Sequence, residues 1–248
     1  MAEGPELVRC ALEAGAPVES LYVSPEGDRD GDTQEVCRLA LAAGARVFSL
    51  APGVLERVAD TVTPQPVLAV VPMLSEPPPD SAAWAAVPAA LVVVLVDVRD
   101  PGNAGTVLRA ADASGVAAVV YAGGSVDPYN PKTVRSSAGS VFHVPLAVRP
   151  DPATLAGELS AAGFRTLATV VRGGQDYAAV DWSVPSALFL GNESAGLDPA
   201  LAGALSGAVA IPMAGRAESL NVGVAGAVVC FEAFRQRRGG GPGPRSMP

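Results

Sequence analysis

The stretch LVVVLVDVRDPGNAGTVLRAADASG, residues 91–115, predicts the fold of most of the chain. Its first eight residues are apolar almost throughout, which is typical of a parallel strand that is covered on both faces. A glycine-rich turn follows at once and leads into a helix predicted over 104–113. This order indicates an open α/β sheet, and it raises the question of whether the turn binds a cofactor phosphate.

The same alternation of helices and strands extends to both sides of this stretch. Residues 1–74 carry three short helical patterns and three short strands, which predict a small α/β domain. The proline-rich segment 75–88 is typical of a linker. Residues 89–236 predict a second, mostly parallel sheet, in which a strand lies near 143–146 and the last helix spans 219–235. The Gly- and Pro-rich tail, 237–248, is expected to be disordered.

The composition favours a folded protein, and its charge argues against nucleic-acid binding without excluding it. The 248 residues have a formal net charge of −8, and sixteen arginines with Lys132 make up the 17 basic residues. That balance argues against broad nonspecific binding to nucleic acid, although a local arginine patch can still bind RNA. The apolar run 82–96 is too short for a membrane span and contains Pro88. We therefore expect no membrane contact.

The first residues and the cysteines both favour the cytoplasm. The first fifteen residues carry charges where a secretory signal needs an apolar centre. The three cysteines, Cys10, Cys37 and Cys230, lie far apart, which favours buried thiols in a reducing compartment over a disulfide or a metal site. We expect the protein to hold no metal ion.

Three loops that follow predicted strands could carry chemistry, because ligands of open α/β sheets bind outside the carboxyl ends of the strands. They are the turn after residue 98, LGNESAGL at 190–197, and IPMAGRAESLN at 211–221. The first loop lacks the G-x-G-x-x-G pattern of a dinucleotide site and the Gly-Lys-Ser/Thr of a phosphate-binding loop. Phosphate binding by that loop is therefore weakly supported.

Several polar residues in these loops have two open interpretations. Arg109 lies about two turns into its helix if Asn103 caps it, and it either pairs with an acid such as Asp112 or binds an anion in a cleft. Glu193 is either a solvated acid in a turn or a carboxylate with a buried partner. Helix capping accounts for one of Ser219 and Asn221, but not for both.

Taken together, the motifs NAGTVLRAADASG (103–115), LGNESAGL and IPMAGRAESLNVGVAGAV (211–228) resemble, in order and spacing, those of the SpoU (TrmH-type) branch of the SPOUT RNA methyltransferases. The segments EGPELVRCALEAG (3–15) and TPQPVLAV (63–70) are similar to parts of the small RNA-binding domain that precedes many such catalytic domains. Family members carry residues ahead of this Glu-Gly pair, so we expect either a missing first element or a start that lies upstream.

The resemblance implies methyl transfer from S-adenosylmethionine to a ribose 2′-hydroxyl of rRNA or tRNA. It also implies a deep trefoil knot in the catalytic domain and a homodimer with active sites at its interface. By the same resemblance, the cofactor pocket is lined by Leu190, Gly191, Ile211, Met213, Ser219 and Leu220.

The resemblance gives the central catalytic role to Arg109. Because a guanidinium stays protonated in proteins, we expect Arg109 to bind the phosphate next to the target ribose and to stabilise developing alkoxide charge, while a phosphate oxygen or water takes the proton. Asn103, Glu193, Ser219 and Asn221 are then expected to orient Arg109 and the ribose, with holding the cofactor or Arg109 in place as the alternative role of Glu193.

Two basic residues and the single histidine complete the set of candidates. Lys132 and Arg135 lie at a predicted helix start, where they are either plain surface residues or contacts to RNA phosphate. His143 is expected to be structural. Two other functions stay open: an RNA-binding protein of the same fold that does not methylate, and a nucleotide-dependent oxidoreductase, which lacks its fingerprint.

Overall fold

The computed structural model describes residues 1–59, 61, 63–73 and 81–239, which form two compact units. The first unit comprises Met1–Pro77 and Tyr129–His143, and the second comprises Pro78–Pro128 and Val144–Pro248. The strands are β1 Ala2–Glu3, β2 Ser20–Val23, β3 Arg46–Ser49, β4 Val67–Val70, β5 Leu91–Val96, β6 Ala118–Ala122, β7 Leu146–Arg149, β8 Arg165–Thr169, β9 Gln175–Asp176, β10 Ser186–Leu190 and β11 Gly207–Ala210. The α-helices are α1 Pro5–Glu13, α2 Gly31–Ala42, α3 Leu55–Val58, α4 Ser81–Ala85, α5 Pro101–Ala113, α6 Pro131–Ser136, α7 Pro152–Ala161, α8 Pro199–Ala204 and α9 Val222–Gly239.

The first unit is built on a four-stranded sheet, with α1 and α2 on one face and α6 against β1. Its strand order is β1-β4-β2-β3, in which β4 runs antiparallel to both neighbours and β2 runs parallel to β3. Helix α1 begins at once after Gly4, whose φ of +98° is a conformation that glycine tolerates without strain. Pro5 then suits the first helical position, because its fixed φ fits a helix and its missing N–H would lack a partner there.

Helix α6 belongs to this first unit, although it lies between two strands of the second. Arg135 of α6 forms an ion pair with Glu3 of β1, with 3.6 Å between Nη1 and Oε2. Glu3 also accepts hydrogen bonds from the Thr61 hydroxyl and the Gln65 amide. These contacts satisfy a carboxylate whose side chain is 6% exposed.

The second unit is a seven-stranded parallel sheet in the order β7-β6-β5-β10-β8-β11-β9. All six residues of β5 are buried, as the continuous apolar run predicts. One face of β5 packs against Trp84, Leu155 and Leu159, and helices α5 and α9 pack on each other within the same unit. The α/β prediction with a mostly parallel sheet and a small first unit is confirmed. The knot stays a prediction.

Several element boundaries differ from those predicted. The described part of the expected linker, 81–88, contains helix α4, because Trp84 inserts into the core of the second unit. The strand expected at 143–146 begins at Leu146, since Ser140–Phe142 form a 3-10 turn before it. Helix α9 runs to Gly239, so the expected tail begins later than 237; residues 75–80 and 240–248 lie outside the described residues.

The cysteine prediction holds only in part. Cys230 is buried, and burial raises the pKa of its thiol to about 12. Cys10 and Cys37 are half-buried rather than buried, and all three thiols are free. No helix in the described part of the chain is long and apolar enough to cross a membrane.

Candidate active site

The three loops singled out from the sequence meet at one edge of the second unit. Strands β5, β10, β8 and β11 are parallel neighbours, so their carboxyl ends lie on the same side of the sheet. The turn before α5 follows β5, the loop 191–197 follows β10, and the loop 211–221 follows β11. Tertiary structure thus assembles one site from three separate segments.

A cleft of about 260 Å³ opens between the second and third loops. Residues from the ends of β8, β10 and β11 and from the first turn of α9 form its walls. All six residues predicted to bind the cofactor line this cleft: Leu190, Gly191, Ile211, Met213, Ser219 and Leu220. Glu193 lines it as well.

Gly191 is required by the close approach of two backbone segments under the cleft. Asn192 and Gly196 form an isolated antiparallel bridge, with N–H···O distances of 3.0 and 2.9 Å. A Cβ atom on Gly191 would collide with the Gly196 carbonyl carbon and the Leu197 nitrogen, and would lie 2.7 Å from the Gly196 oxygen. No larger residue fits unless the loop moves.

The chemistry of the cleft suits a flat heterocycle with polar edges. Leu190, Ile211, Met213 and Val229 supply apolar walls. Among the described residues, none accepts a hydrogen bond from the backbone N–H groups of Met213 to Leu220. Exposed, unused amides beside apolar walls can bind the nitrogen and hydroxyl acceptors of a nucleoside, so the residues present fit S-adenosylmethionine.

A chain of side-chain hydrogen bonds joins the three loops beside the cleft. Asn103 Nδ2 donates to Glu193 Oε1 at 3.0 Å, and Asn221 Nδ2 donates to Asn103 Oδ1 at 2.8 Å. Each loop therefore contributes one member of the chain. Glu193 and Asn221 lie 28 residues apart in sequence, and the Asn103 amide bridges them in space.

Glu193 is a hydrogen-bond acceptor for the start of α5. Its two carboxylate oxygens accept the backbone N–H groups of Arg99, at 3.3 Å, and Asp100, at 3.0 Å, in addition to Asn103. Partial burial raises the pKa of Glu193, but the hydrogen bonds from the Asn103 side chain and the backbone outweigh it and lower the pKa. Glu193 is thus ionised at neutral pH, and its oxygens are occupied.

The cap of α5 differs from the one considered in the sequence analysis, whereas the cap of α9 is one of the two residues expected there. Asp100, not Asn103, caps α5 by accepting the Asn103 N–H at 2.8 Å, so the Asn103 side chain stays available for Glu193 and Asn221. Asn221, rather than Ser219, caps α9 by accepting the Gly223 N–H at 2.8 Å. Helix α9 consequently begins at Val222, three residues later than predicted.

Arg109 is exposed on α5, about 9 Å further along the helix axis than Asn103. It lies one turn beyond Thr106, which is also exposed. The described residues include no hydrogen-bond or ion-pair partner for Arg109, so the pairing with Asp112 that the sequence left open is absent from the described part of the chain. Its guanidinium is available to a ligand.

The predicted RNA contacts Lys132 and Arg135 lie in the first unit, on α6. Arg135 is held by Glu3. Ser219 lines the cleft without joining the chain of hydrogen bonds. In the described part of the chain, no group of three or more His, Cys, Asp or Glu side chains is arranged to hold a metal ion.

Sequence reasoning missed two residues that shape the second loop. The Asn192 side chain accepts the Ser194 and Ala195 N–H groups, both at 3.0 Å, and donates to the Asp97 carbonyl at 2.8 Å. Asp97 has a φ of +55°, which is uncommon for a residue with a side chain. The Asn in LGNES could have been read as a turn-forming Asx residue, but nothing local marks Asp97.

Comparisons with known proteins agree with this geometry. The profile of the SpoU rRNA Methylase family matches residues 90–231, and the profile for RNA 2'-O ribose methyltransferase substrate binding matches residues 1–77. The 23S rRNA (guanosine(2553)-2'-O)-methyltransferase RlmP of Bacillus subtilis is 36% identical over 230 residues, covering 92% of this chain and 86% of that protein. The tRNA (guanosine(18)-2'-O)-methyltransferase of Thermus thermophilus is 39% identical over 150 residues, covering 59% of this chain and 75% of that protein.

A solved structure matches both units. The AdoMet-bound rRNA methyltransferase from Sinorhizobium meliloti superposes with a TM-score of 0.80 at 33% identity, covering 94% of this chain and 86% of that one. The chain therefore belongs to the SpoU rRNA Methylase family. Membership confirms the predicted enzyme class, an RNA 2′-O-ribose methyltransferase, and S-adenosylmethionine as its cofactor.

Proposed function

We propose that this chain transfers a methyl group from S-adenosylmethionine to a ribose 2′-hydroxyl of ribosomal RNA. The observation that carries the proposal is the hydrogen-bonded chain Glu193–Asn103–Asn221, which joins three separate motifs beside a nucleoside-sized cleft. Ribosomal RNA is favoured over tRNA because the rRNA enzyme matches 92% of this chain, whereas the tRNA enzyme matches 59%.

The cofactor lies in the cleft lined by Leu190, Gly191, Ile211, Met213, Ser219 and Leu220. When bound, it supplies an electrophilic methyl group on its sulfonium. The apolar side chains contact the faces of its heterocycle, and the unused N–H groups between Met213 and Leu220 donate to its polar edges.

Arg109 binds the phosphate beside the target ribose and stabilises negative charge on the 2′-oxygen. Its exposed position, without a partner among the described residues, supports this role, since a planar guanidinium binds phosphate oxygens in pairs. It is not the base, because an arginine holds its proton at physiological pH. A phosphate oxygen or a water molecule accepts the ribose proton.

Glu193 is a positioning residue and not the base either. Its pKa is lowered and both of its oxygens accept N–H groups, so it is a poor proton acceptor. It fixes Asn103 and the first turn of α5, and thereby the helix that carries Arg109. Asn221 completes the arrangement by fixing the start of α9 against Asn103. Ser219 lies in the cleft wall, where its hydroxyl is positioned to hydrogen-bond the cofactor or the ribose.

Exposed arginines at the carboxyl edge of the sheet support RNA binding by the second unit. Arg99, Arg172 and Arg216 follow β5, β8 and β11, and all three are exposed. Their guanidinium groups can bind phosphate oxygens at this edge of an acidic protein. Lys132 and Arg135 contribute further contacts from the first unit.

The enzyme acts as a homodimer in the cytoplasm. Helix α9 buries Gly226, Val229 and Ala233 but leaves Val224 and Phe231 46% and 47% exposed. These two side chains lie two turns apart on one helix face, which is a pattern typical of a helix that packs on a second subunit. The substrate class supports a location where ribosomes are assembled.

The central test is transfer of radiolabelled methyl groups from S-adenosylmethionine to purified rRNA and tRNA. We expect label on rRNA, located at a 2′-hydroxyl by mapping, and little on tRNA. The variant Arg109→Ala should lose activity by about a hundredfold or more, as expected for removal of a charge-stabilising group, while it still binds cofactor. Arg38→Ala, an exposed arginine on α2, is the matched control. Cofactor binding without transfer to any RNA would indicate a non-catalytic RNA-binding protein and overturn the proposal.

A further inference from the structure

An aromatic pair lies on the open face of the sheet in the first unit. Tyr22 of β2 and Phe48 of β3 are directly opposite in register, and their rings stack with centroids 5.4 Å apart and planes 20° apart. Phe48 is 42% exposed. An aromatic pair at this exposed position on an edge strand leaves ring surface open to a ligand.

The opposite face of the same sheet explains why this one is open. Leu21, Val23 and Val67 alternate with the aromatic row and are buried beneath α1 and α2. Helix α6 covers only the β1 end of the aromatic side, through Arg135 on Glu3. At the β3 end of this side, Arg46 and Phe48 are both exposed.

A cation lies beside the pair. The guanidinium carbon of Arg46, two residues before Phe48 on the same strand face, is 5.9 Å from the Phe48 ring centroid. Arg46 is also held by Glu19, at 2.7 Å between Nη2 and Oε1. The guanidinium is therefore fixed next to the ring instead of moving freely in solvent.

Cross-strand neighbours connect the aromatic pair to a second arginine, Arg135. Phe48, Tyr22, Leu68 and Glu3 are cross-strand partners in succession, so they form one row across all four strands. Arg135 contacts Glu3 at the far end of that row, about 14 Å from Phe48 by strand spacing. The row thus has a guanidinium at each end and an aromatic surface beside one of them.

The acids of this unit lie mainly on the helical side. Glu6 and Glu13 belong to α1, and Asp28 and Asp32 lie at the turn that leads into α2. The two acids that border the open face, Glu3 and Glu19, are each paired with an arginine. These two ion pairs add no net negative charge to the open face, which presents aromatic rings beside guanidinium groups that keep further N–H donors.

We propose that Tyr22, Phe48 and Arg46 form a stacking site for an unpaired base of the substrate RNA, with Arg135 binding a phosphate further along the strand. This proposal rests on the RNA methyltransferase function argued above. RNA is recognised largely through splayed, unpaired bases that stack on aromatic rings or guanidinium planes. A duplex hides those faces, so the site selects single-stranded segments, such as a loop next to the target nucleotide.

The test measures binding of a short, unstructured, fluorescein-labelled RNA and of a matched duplex by anisotropy. Base stacking on an aromatic residue is worth about 1–3 kcal/mol, so Phe48→Leu should weaken binding of the single strand by about 5- to 150-fold and leave duplex binding nearly unchanged. Phe48→Trp should restore binding, with indole fluorescence quenched by the stacked base. Leu41→Ala, a 58% exposed residue on α2, is the matched control.

Methyl transfer to rRNA separates this proposal from the proposed function. We expect Phe48→Leu to raise the KM for RNA with little change in kcat, and thermal unfolding of the variant to match the Leu41→Ala control. Equal binding of single strand by Phe48→Leu and wild type, or equal losses for single strand and duplex, overturns the stacking site while wild-type methylation stands. Absence of methylation by the wild type, with stacking intact, refutes the enzyme proposal alone.

Discussion

A methyl group added at Gly191 should disable the cofactor cleft. In Gly191→Ala the new Cβ would lie 2.7 Å from the Gly196 carbonyl oxygen and still closer to backbone atoms of Gly196 and Leu197, whereas ordinary Cβ contacts begin at 3.4 Å. The contacted atoms are backbone, which gives way less readily than a side chain. Residues 191 and 196 must then separate by at least about 0.7 Å, because an overpacked backbone has no free rotamer to relieve it.

Two measurable effects follow from that displacement. Overpacking of this kind costs about 1–3 kcal/mol of folding free energy, which lowers Tm by several degrees for a chain of this length. A shift approaching 1 Å in a binding loop can also reduce activity about a hundredfold, since Leu190, Glu193 and the loop amides move with it. Calorimetric titration with S-adenosylmethionine and scanning calorimetry measure the two effects.

The matched control is Gly203→Ala on α8, where an added Cβ meets nothing within 4 Å. It should leave cofactor affinity unchanged and leave stability unchanged or slightly raised, because alanine favours a helix more than glycine does. Wild-type cofactor affinity in Gly191→Ala would refute the inferred close approach. So would a control that loses as much affinity as the test variant.

Three further predictions follow from the same structure. Asn221→Asp should keep the α9 cap, and hence Tm, but lose the amide that donates to Asn103, so methyl transfer should fall about tenfold or more. Asn221→Ala loses the cap as well and should also lower stability by about 1 kcal/mol. Equal methyl transfer by Asn221→Asp and the wild type would contradict the bridging role. Hydrogen bonds from Arg235 and Gln236 lower the pKa of Glu232 from 4.5 to about 2, although desolvation opposes this shift. The ionised Glu232 therefore stabilises the fold fully above pH 4.5, and this contribution is lost as the pH falls toward 2. Glu232→Gln should reduce the pH dependence of the free energy of unfolding between pH 4.5 and 2, measured by urea unfolding. Phe231→Glu should yield monomers in sedimentation velocity, whereas Leu41→Glu should not, and a dimer that persists would place the interface elsewhere.

Much of the fold follows from local patterns in the sequence. The apolar run at 91–96 is typical of a strand covered on both faces, and the alternation with helices favours a parallel sheet. Boundaries failed where a distant contact decided them. Trp84 packs into the core and converts part of a proline-rich linker into α4, and Glu3 holds α6 in the first unit through Arg135.

The candidate site divides in the same way. The sequence by itself determined which polar residues follow which strands, because the order and spacing of the three motifs carry Asn103, Arg109, Glu193 and Asn221. Only the tertiary structure decided how they act: the capping by Asp100 releases the Asn103 side chain, and the Asn103 amide then joins Glu193 to Asn221. The physical reason is that local propensity places a residue on a helix or a loop, whereas hydrogen bonds spanning some ninety residues or more exist only once parallel strands bring their carboxyl ends together.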